Sequence, residues 1–395
     1  MNISPEVLAI NHEVVALRRH FHQNPELGDE EFQTAEKIAD YLHQHHLEVK
    51  TGVNKTGVVG LLRGSEKGPT LMLRADMDAL PIKEECDVPY RSRINGKMHA
   101  CGHDGHMAIL LGAAKILSRR RENLRGNIKF VFQPNEENGG ALAMIEDGVL
   151  ENPTVDASLG IHLWSPIETG KIAVNAGPVM AGMYYFRITI IGQGGHTATP
   201  QGSVDPIITA AEVVQALQTI QTRELDVLTP TSIVFGEIQG GTAWNIIPDK
   251  VKLSGTMRFL YEDTENGKEE LPERFERILA GVCRAHRTEY ELSMVYGHPA
   301  LVNDQGMTEL VRSAAQKVLD TPRHIVSFVS MAGEDFAEFA DRVPSAFYFV
   351  GTGNEKKATC FPHHHPRFNI DEDSLKIGLE MVVRTVFKFF SNFRV

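Results

Sequence analysis

The chain has 395 residues and a net charge of −11, a length that exceeds one ordinary hydrophobic core and predicts two domains. Hydrophobic residues make up 42% and charged residues 23% of the sequence, which is typical of globular proteins. The acidic balance disfavours nucleic acid as a partner. No signal-peptide pattern, membrane-spanning stretch or disulfide spacing is recognisable, so we expect a cytoplasmic protein without a membrane partner.

In the first part of the chain, helical patterns alternate with strand patterns. Apolar residues recur at helical spacing from Val14 to Leu42 and predict two helices. The segments that follow predict strands at 57–62 and 70–74, a helix at 105–119, a strand at 127–133, a short helix at 141–147 and a strand at 157–163. This alternation favours an α/β fold, with a mostly parallel sheet flanked by helices.

The pattern changes near residue 183. The predicted elements are strands at 184–191, 231–239, 250–260 and 288–295, and helices at 206–220 and 265–286. Their order is β-α-β-β-α-β, the ferredoxin-like motif. Helices at 306–319 and 334–340, a strand at 345–350 and a helix from 374 then resume the first fold. Gly and Pro at both junctions predict a discontinuous catalytic domain, 1–182 with 297–395, and an inserted α+β domain at 183–296.

The strongest local motif is the segment from His99 to His106, which reads HACGHDGH. Cys101 and His103 are two residues apart, so in extended backbone their side chains point to the same side. Thiolate and imidazole groups are preferred zinc ligands. The motif therefore predicts a metal site, although a buried cysteine beside unrelated histidines is an alternative interpretation.

A second motif is the carboxylate pair Glu136-Glu137 after a predicted strand. Adjacent carboxylates repel each other and are tolerated where a cation neutralises one of them. Metal-dependent hydrolysis needs one carboxylate that holds metal and one that accepts a proton. A solvated turn is the alternative interpretation of this pair.

Further histidines follow the later strands. His162 lies in an apolar run, where a lone histidine is more often a core residue, and the run His363-His364-His365 lies in a loop before Pro366. Neither motif decides by itself. Together with the earlier motifs they place a thiol, imidazoles and carboxylates at successive strand ends of one sheet, which favours a common site.

The inserted domain offers residues for substrate contact. His196 lies in a polar glycine-rich loop that lacks the spacing of a dinucleotide-binding motif. Arg258 lies on a predicted strand, and a guanidinium is a natural bidentate partner for a substrate carboxylate, although an exposed strand residue is the plainer interpretation. The sequence contains no serine nucleophile elbow and no phosphate-binding loop.

These motifs resemble those of the aminoacylase and carboxypeptidase clan of dinuclear metallopeptidases, and within it the branch of hippurate hydrolases and auxin-amino-acid-conjugate hydrolases. The similarity covers nearly the whole chain. It rests on the segments 17–27 (LRRHFHQNPEL), 73–81 (LRADMDALP), 99–106, 136–137, 194–200, 240–248 and 332–336 (AGEDF), and on His364.

The resemblance implies two divalent metal ions. Zinc fits a thiolate ligand best, while manganese, cobalt or nickel are also compatible. Cys101 would bridge the ions, Glu136 would be the general base and then the acid, and Asp78 would orient a ligand. The other implied ligands are His103, Glu137, His162 and His364.

The resemblance also implies a homodimer formed by the inserted domain, which would act as a lid. His196 would reach the partner's site and stabilise the oxyanion, while Asn245 and Arg258 would hold the substrate carboxylate. The implied reaction is hydrolysis of N-acyl-L-amino acids of the N-acetyl or N-aroyl type by a metal-activated water. The alternatives are a carboxypeptidase or dipeptidase that uses the same residues, and a non-catalytic metal-binding dimer.

Two departures from the wider clan bear on these expectations. The clan carries His-x-Asp where this chain has Asp76-Met77-Asp78, and a bridging Asp where it has Cys101. The branch makes both changes together, so they support the assignment to the branch. In the triple histidine, the register with Pro366 selects His364, and an error of one residue would select a neighbour.

Overall fold

The computed structural model describes residues 1–261 and 270–392, which divide into two compact units. The first unit comprises Met1–Val179, Val302–Val329 and the chain from Asp335 onward. The second comprises Met180–Leu301 and Ser330–Glu334. The first unit is therefore interrupted twice along the chain, by one long and one short segment of the second unit.

The first unit is built on one mixed sheet, with the strand order β1-β2-β4-β3-β5-β16-β6-β15. Its strands are β1 (Glu48–Val53), β2 (Gly57–Arg63), β3 (Glu66–Asp76), β4 (Arg125–Gln133), β5 (Ala157–Glu168), β6 (Ile172–Ala173), β15 (Ile325–Val326) and β16 (Ser345–Gly353). Parallel pairing joins β4, β3, β5 and β16 in the centre. The pairs β1–β2, β2–β4 and β16–β6 are antiparallel, so antiparallel pairing is confined to the flanks.

Helices cover this sheet. They are α1 (Pro5–Gln23), α2 (Phe32–Gln44), α3 (His103–Arg119), α4 (Ala141–Glu146), α7 (Gln305–Val318), α8 (Ala337–Ala340) and α9 (Asp373–Asn392). Leu71 and Leu73 of β3 belong to the core that α1, α3 and α9 complete, whereas Phe336 beside α8 packs against Phe347 of β16 at 5.4 Å between ring centroids. The central strands are buried almost throughout, as parallel strands covered on both faces require. The α/β prediction is confirmed.

The second unit has the predicted ferredoxin-like order. Its main elements are β8 (Gly182–Ile191), α5 (Pro206–Leu217), β10 (Thr231–Gly240), β12 (Lys250–Phe259), α6 (Leu271–His286) and β13 (Glu289–His298). The strands form an antiparallel sheet in the order β10-β12-β8-β13. A further pair of short strands in this unit is β9 (Gly195–His196) with β11 (Ile246–Ile247). The paired strands β7 (Gly177–Met180) and β14 (Leu301–Asn303) lie where the chain passes from one unit to the other.

Several boundaries differ from the sequence-based prediction. Strand β1 was not predicted, because most of its residues are exposed and it lacks an apolar alternation. The helix predicted over 265–286 begins at Leu271 behind a capping box at Glu270, and residues 265–269 lie outside the described residues. The helix predicted over 334–340 is shorter, since α8 begins at Ala337. Within the described residues, no helix is both long and apolar enough to cross a bilayer.

A buried charge cluster fastens the start of α3 to α1. Arg18 Nε donates to Asp104 Oδ2 at 2.8 Å, and His22 Nδ1 lies 2.7 Å from the same oxygen. The other ring nitrogen of His22, Nε2, lies 3.2 Å from Glu84 Oε1. Because Asp104 directly follows His103, this cluster holds in place the turn that carries a predicted metal ligand.

Candidate metal centre

The predicted ligands of the first unit lie where its central strands end. Strand β3 ends at Asp76, two residues before Asp78, and β4 ends at Gln133, three residues before Glu136. In β5, His162 lies two residues beyond the last residue paired with β3. Since these three strands are parallel, their carboxyl ends meet at one edge, where open α/β sheets bind ligands.

The backbone at this edge takes unusual conformations. Gly102 has φ 95° at the residue before α3, so the chain turns directly into His103. Asn135 and His364 also have positive φ, 54° and 64°, although both carry side chains. Residues other than glycine in the left-handed region concentrate at functional sites, where the surrounding structure holds them.

Cys101 is shared by two groups of potential metal ligands. One group is Cys101, His103 and His162, and the other is Cys101, Glu137 and His364; in each, the ligand atoms lie within 4.8 Å of one another. The Cys101 Sγ atom is 3.6 Å from His162 Nε2. A thiolate common to two such groups can bridge two cations.

The donor set fits divalent cations. Among the described residues, His103 Nε2 and Glu137 Oε1 are buried atoms without a hydrogen-bond partner, although Glu137 Oε1 lies 3.1 Å from His364 Nε2. Buried polar atoms normally have partners, so the His103 Nε2 atom fits the role of a metal ligand. Sulfur, imidazole and carboxylate donors together match zinc and related metals.

The two adjacent carboxylates both lie at the cluster, and together with His103 they form a third group of atoms within 4.8 Å of one another. Glu136 Oε2 lies 3.9 Å from His103 Nε2, and Glu137 Oε1 lies 3.1 Å from His364 Nε2. The backbone N–H of Glu137 also donates to Asp78 Oδ2 at 3.1 Å, which fixes the turn. One carboxylate can therefore bind metal while the other remains beside the cluster for proton transfer.

Asp78 contacts one of the candidate ligands. His103 Nδ1 lies 2.9 Å from the Asp78 carbonyl oxygen and 3.2 Å from its Oδ1. Burial alone lowers the pKa of His103, but Asp76 and Asp78 outweigh it and raise that pKa to about 10. The His103 site thus attracts positive charge, which a proton or a metal ion can supply.

His162 has the opposite electrostatic environment. Burial lowers its pKa well below the ordinary value, and the neighbouring His106 and His363 rings lower it further. The ring is therefore neutral, as a metal-binding imidazole must be.

The three consecutive histidines have three different environments. His363 Nε2 donates to the Leu163 carbonyl at 3.0 Å, and His365 Nδ1 accepts from the backbone N–H of Arg367 at 3.0 Å. Of the three, His364 is the one found in a candidate ligand group. His364 as a metal ligand therefore stays a prediction, with Cys101 and Glu137 as its neighbours.

The site predicted from the sequence did not include several buried polar residues that lie next to the candidate ligands. His106 Nδ1 lies 2.6 Å from Asp76 Oδ1, and Arg74 donates to Asp76 Oδ2 at 2.9 Å and to Asp335 Oδ1 at 3.0 Å. Gln133 Nε2 donates to the same Asp335 carboxylate. The available signal was Arg74 and Asp76, two charged residues of the same strand face within an apolar segment.

The remaining predicted residues belong to the second unit. The register of β9 and β11 pairs His196 with Ile246, so His196 lies beside Asn245, whose carbonyl accepts from the Thr197 N–H at 3.4 Å. Arg258 lies on β12, and its guanidinium donates to the Met331 carbonyl at 3.0 Å. The β9–β11 pairing brings His196 and Asn245 together on one short ladder.

Comparison with known proteins identifies relatives over most of the chain. Residues 72–388 match the model of peptidase family M20/M25/M40. N-acetyl-L-cysteine deacetylase of Bacillus subtilis (strain 168) is 40% identical over 92% of this chain and 85% of that protein. Thermostable carboxypeptidase 2 of Saccharolobus solfataricus is 38% identical over 94% of both chains.

A solved structure gives the same result. The B. subtilis YXEP protein, described as a dinuclear metal-binding peptidase from the M20 family, superposes with a TM-score of 0.85 at 31% identity, over 98% of this chain and 99% of that one. The prediction of a metal-dependent amidohydrolase or metallopeptidase is thereby confirmed. This chain belongs to peptidase family M20/M25/M40.

Proposed function

We propose that this chain hydrolyses the amide bond of N-acyl-L-amino acids of the N-acetyl or N-aroyl type. The observation that carries the proposal is the presence of two adjacent carboxylates at the cluster, with Glu136 3.9 Å from His103 and Glu137 3.1 Å from His364. A protein that only stores metal does not need the first of them. The resemblance to hippurate and auxin-conjugate hydrolases supports aroyl and arylacetyl groups as the acyl part.

Cys101 would be a ligand of both divalent ions of the proposed centre. His103 and His162 would hold one ion with it, and Glu137 and His364 would hold the other. We propose zinc because it favours a thiolate ligand, with manganese, cobalt or nickel as substitutes. Asp78 would orient the His103 ring through the Nδ1 contact.

Bound ions would polarise the scissile carbonyl and make the attacking water more acidic. Glu136 would accept the proton of this water at a carboxylate oxygen and then deliver it to the nitrogen of the leaving amino acid. Its place beside the cluster supports this role. Adjacent Glu137 is left to hold metal, so the two tasks do not compete for one carboxylate.

The second unit would supply the substrate contacts. The Ala198 N–H donates to His196 Nδ1 at 3.0 Å, so the neutral ring carries its proton on Nε2. The Nε2–H group of His196 can donate a hydrogen bond to an oxyanion. We propose that it does so in the partner's site of a homodimer. Asn245 and Arg258 would bind the carboxylate of the amino acid.

We expect the dimer to form along β10. This strand is an edge of the four-stranded sheet and exposes Val234 and Ile238, and such edges are templates for pairing with another chain. The variant Val234→Lys/Ile238→Lys should sediment as a monomer and lose roughly 100-fold or more in kcat, because the His196 donor is lost. Val295→Lys on the opposite edge strand is the matched control. A monomer with parental activity would contradict the trans role of His196.

The proposed reaction is tested by a substrate screen on metal-free and metal-loaded protein. We expect hydrolysis of N-acetyl-, N-benzoyl- and N-arylacetyl-amino acids, abolished by chelation and restored by two equivalents of zinc, manganese or cobalt per chain. Hydrolysis that survives complete metal removal would refute the proposal. Preference for one acyl group identifies the branch.

The second candidate function is that of a carboxypeptidase or dipeptidase. The similarity to thermostable carboxypeptidase 2 favours it, and the same residues would perform the chemistry. Dipeptides and blocked dipeptides in the screen distinguish the two functions. Higher kcat/KM for dipeptides than for every N-acyl-amino acid would select this candidate.

A further inference from the structure

We propose that His106 and His363 are positioning residues that act through the backbone of Leu163. Their hydrogen bonds hold the His162 ring with Nε2 directed at the metal site. This inference rests on the proposed metal centre and adds two residues outside its ligand set.

The backbone of Leu163 is available because a neighbouring strand has ended. Strand β3 pairs with β5 from Leu71 and Ala157 to Arg74 and Gly160. Beyond Gly160 this pairing stops, and the Leu163 N–H donates to a histidine instead of a strand. The N–H and C=O of one strand residue face the same edge, so both groups of Leu163 point into the opening.

His106 accepts a hydrogen bond from the backbone N–H of Leu163. A backbone N–H can only donate, so His106 Nε2 accepts this bond, at 2.8 Å. The ring proton then resides on Nδ1 and is donated to Asp76 Oδ1 at 2.6 Å. Arg74 in turn donates to the other oxygen of Asp76. Both ring nitrogens of His106 therefore form hydrogen bonds, and these bonds fix the ring in one tautomer.

The carbonyl of Leu163 orients two more rings. It accepts from His162 Nδ1 and from His363 Nε2, each at 3.0 Å. Because a carbonyl can only accept, His162 carries its proton on Nδ1. The lone pair of Nε2 is left for a metal ion, on the side of Cys101 Sγ.

His363 also confines the His162 ring from the side. It stacks on Trp164 with 4.2 Å between centroids, and it meets the His162 ring edge-on at 5.2 Å. The His162 ring cannot turn without breaking the Nδ1 bond or displacing this stack. His363 thus holds the orientation of a ligand without being one.

A close approach of helix and strand makes the arrangement possible. A Cβ atom on Gly105 would lie 2.3 Å from Leu163 Cδ1, so a side chain at this position would force the Leu163 side chain to move. Glycine leaves room for the Leu163 side chain beside the first turn of α3, whose residue His106 lies within hydrogen-bond distance of the Leu163 N–H.

Two amide variants separate the bonds of His106. In His106→Gln the side-chain oxygen can replace Nε2 and accept from Leu163, whereas in His106→Asn the amide N–H can replace Nδ1 and donate to Asp76. Outer contacts of metal ligands typically contribute about 10- to 100-fold in affinity. We expect zinc affinity, measured by chelator competition, to fall by about that factor in His106→Asn and by less than about threefold in His106→Gln.

The same logic applies to His363. His363→Gln retains an N–H that can donate to the Leu163 carbonyl, and His363→Leu does not. We expect weaker zinc binding in the leucine variant, with near-parental binding in the glutamine variant. His365→Asn is the matched control, because its amide oxygen can replace Nδ1 as the acceptor for Arg367 and His365 does not contact Leu163.

A measurement without metal completes the test. Nitrogen-15 NMR of the metal-free protein should show the His162 proton on Nδ1, and His106→Asn should lose this single tautomer. Equal zinc affinities for the two His106 variants, or a His162 proton on Nε2 in the parent, would overturn the inference. These readouts need no substrate, so they distinguish its failure from failure of the proposed hydrolysis.

Discussion

Replacement of Glu136 by glutamine is expected to lower kcat by roughly two to four orders of magnitude, the usual contribution of general acid–base catalysis. The amide has the shape of the carboxylate but cannot accept a proton from water. The metal content should remain at the parental value, because the proposed role of Glu136 is proton transfer and the proposed ligands are Cys101, His103, His162, Glu137 and His364. Steady-state kinetics together with metal analysis of the same preparation measure both quantities.

Two further variants serve as controls for the Glu136→Gln experiment. Glu137→Gln should lose bound metal as well as activity, since Glu137 belongs to a ligand group. Glu146→Gln, an exposed position on α4, should change neither. If Glu136→Gln hydrolysed acyl-amino acids at the parental rate, the proposed role of Glu136 as the general base would be wrong.

Replacement of Asp104 by asparagine is expected to lower the free energy of unfolding by roughly 3–5 kcal/mol, the effect of removing one partner from a buried ion pair. Asp104 Oδ1 accepts from the Gly105 N–H, so the new amide N–H group would face Arg18 and His22, which are themselves donors. Denaturant unfolding of the metal-free protein measures the change. Asp29→Asn, at an exposed pair with Lys55, should cost less than about 1 kcal/mol.

The pH dependence of this loss has a definite sign. Burial and Arg18 lower the pKa of His22, but Asp104 and Glu84 outweigh them and raise it above its ordinary value. A raised pKa adds stability below about pH 6.5 that is lost as pH rises through the folded value. The difference between parent and Asp104→Asn should therefore be larger at about pH 6 than at about pH 9. A difference that grows over this range would contradict the assignment.

Regular apolar patterns made most of the fold predictable. The helices and central strands of the first unit, and the β-α-β-β-α-β order of the second, follow from period-3.6 and period-2 spacing. Strand β1 was not predicted because it is largely exposed and therefore has no apolar pattern. The later start of α8 was not predicted because it depends on Asp335. This residue lies inside the predicted helix but accepts hydrogen bonds from Arg74 and Gln133, which lie on other strands.

The residues of the candidate site were predictable to different degrees. Cys101, His103 and the Glu136-Glu137 pair stand out because their chemistry is concentrated in short segments. His162 and His364 needed a family resemblance, since a lone histidine in an apolar strand and one of three in a loop carry little information. His106 and Asp76 were visible in the sequence, but their bond to each other joins residues 30 positions apart.

The sequence alone was sufficient for composition class, element order, the family resemblance and the types of ligand, because these depend on local pattern and on residue chemistry. Tertiary structure decided which atoms meet. Only the end of β3–β5 pairing at Gly160 leaves the Leu163 backbone open to histidines, and only strand ends gathered at one edge place Cys101 in two ligand groups. Such contacts depend on chain segments far apart in sequence, whose spacing no local pattern encodes.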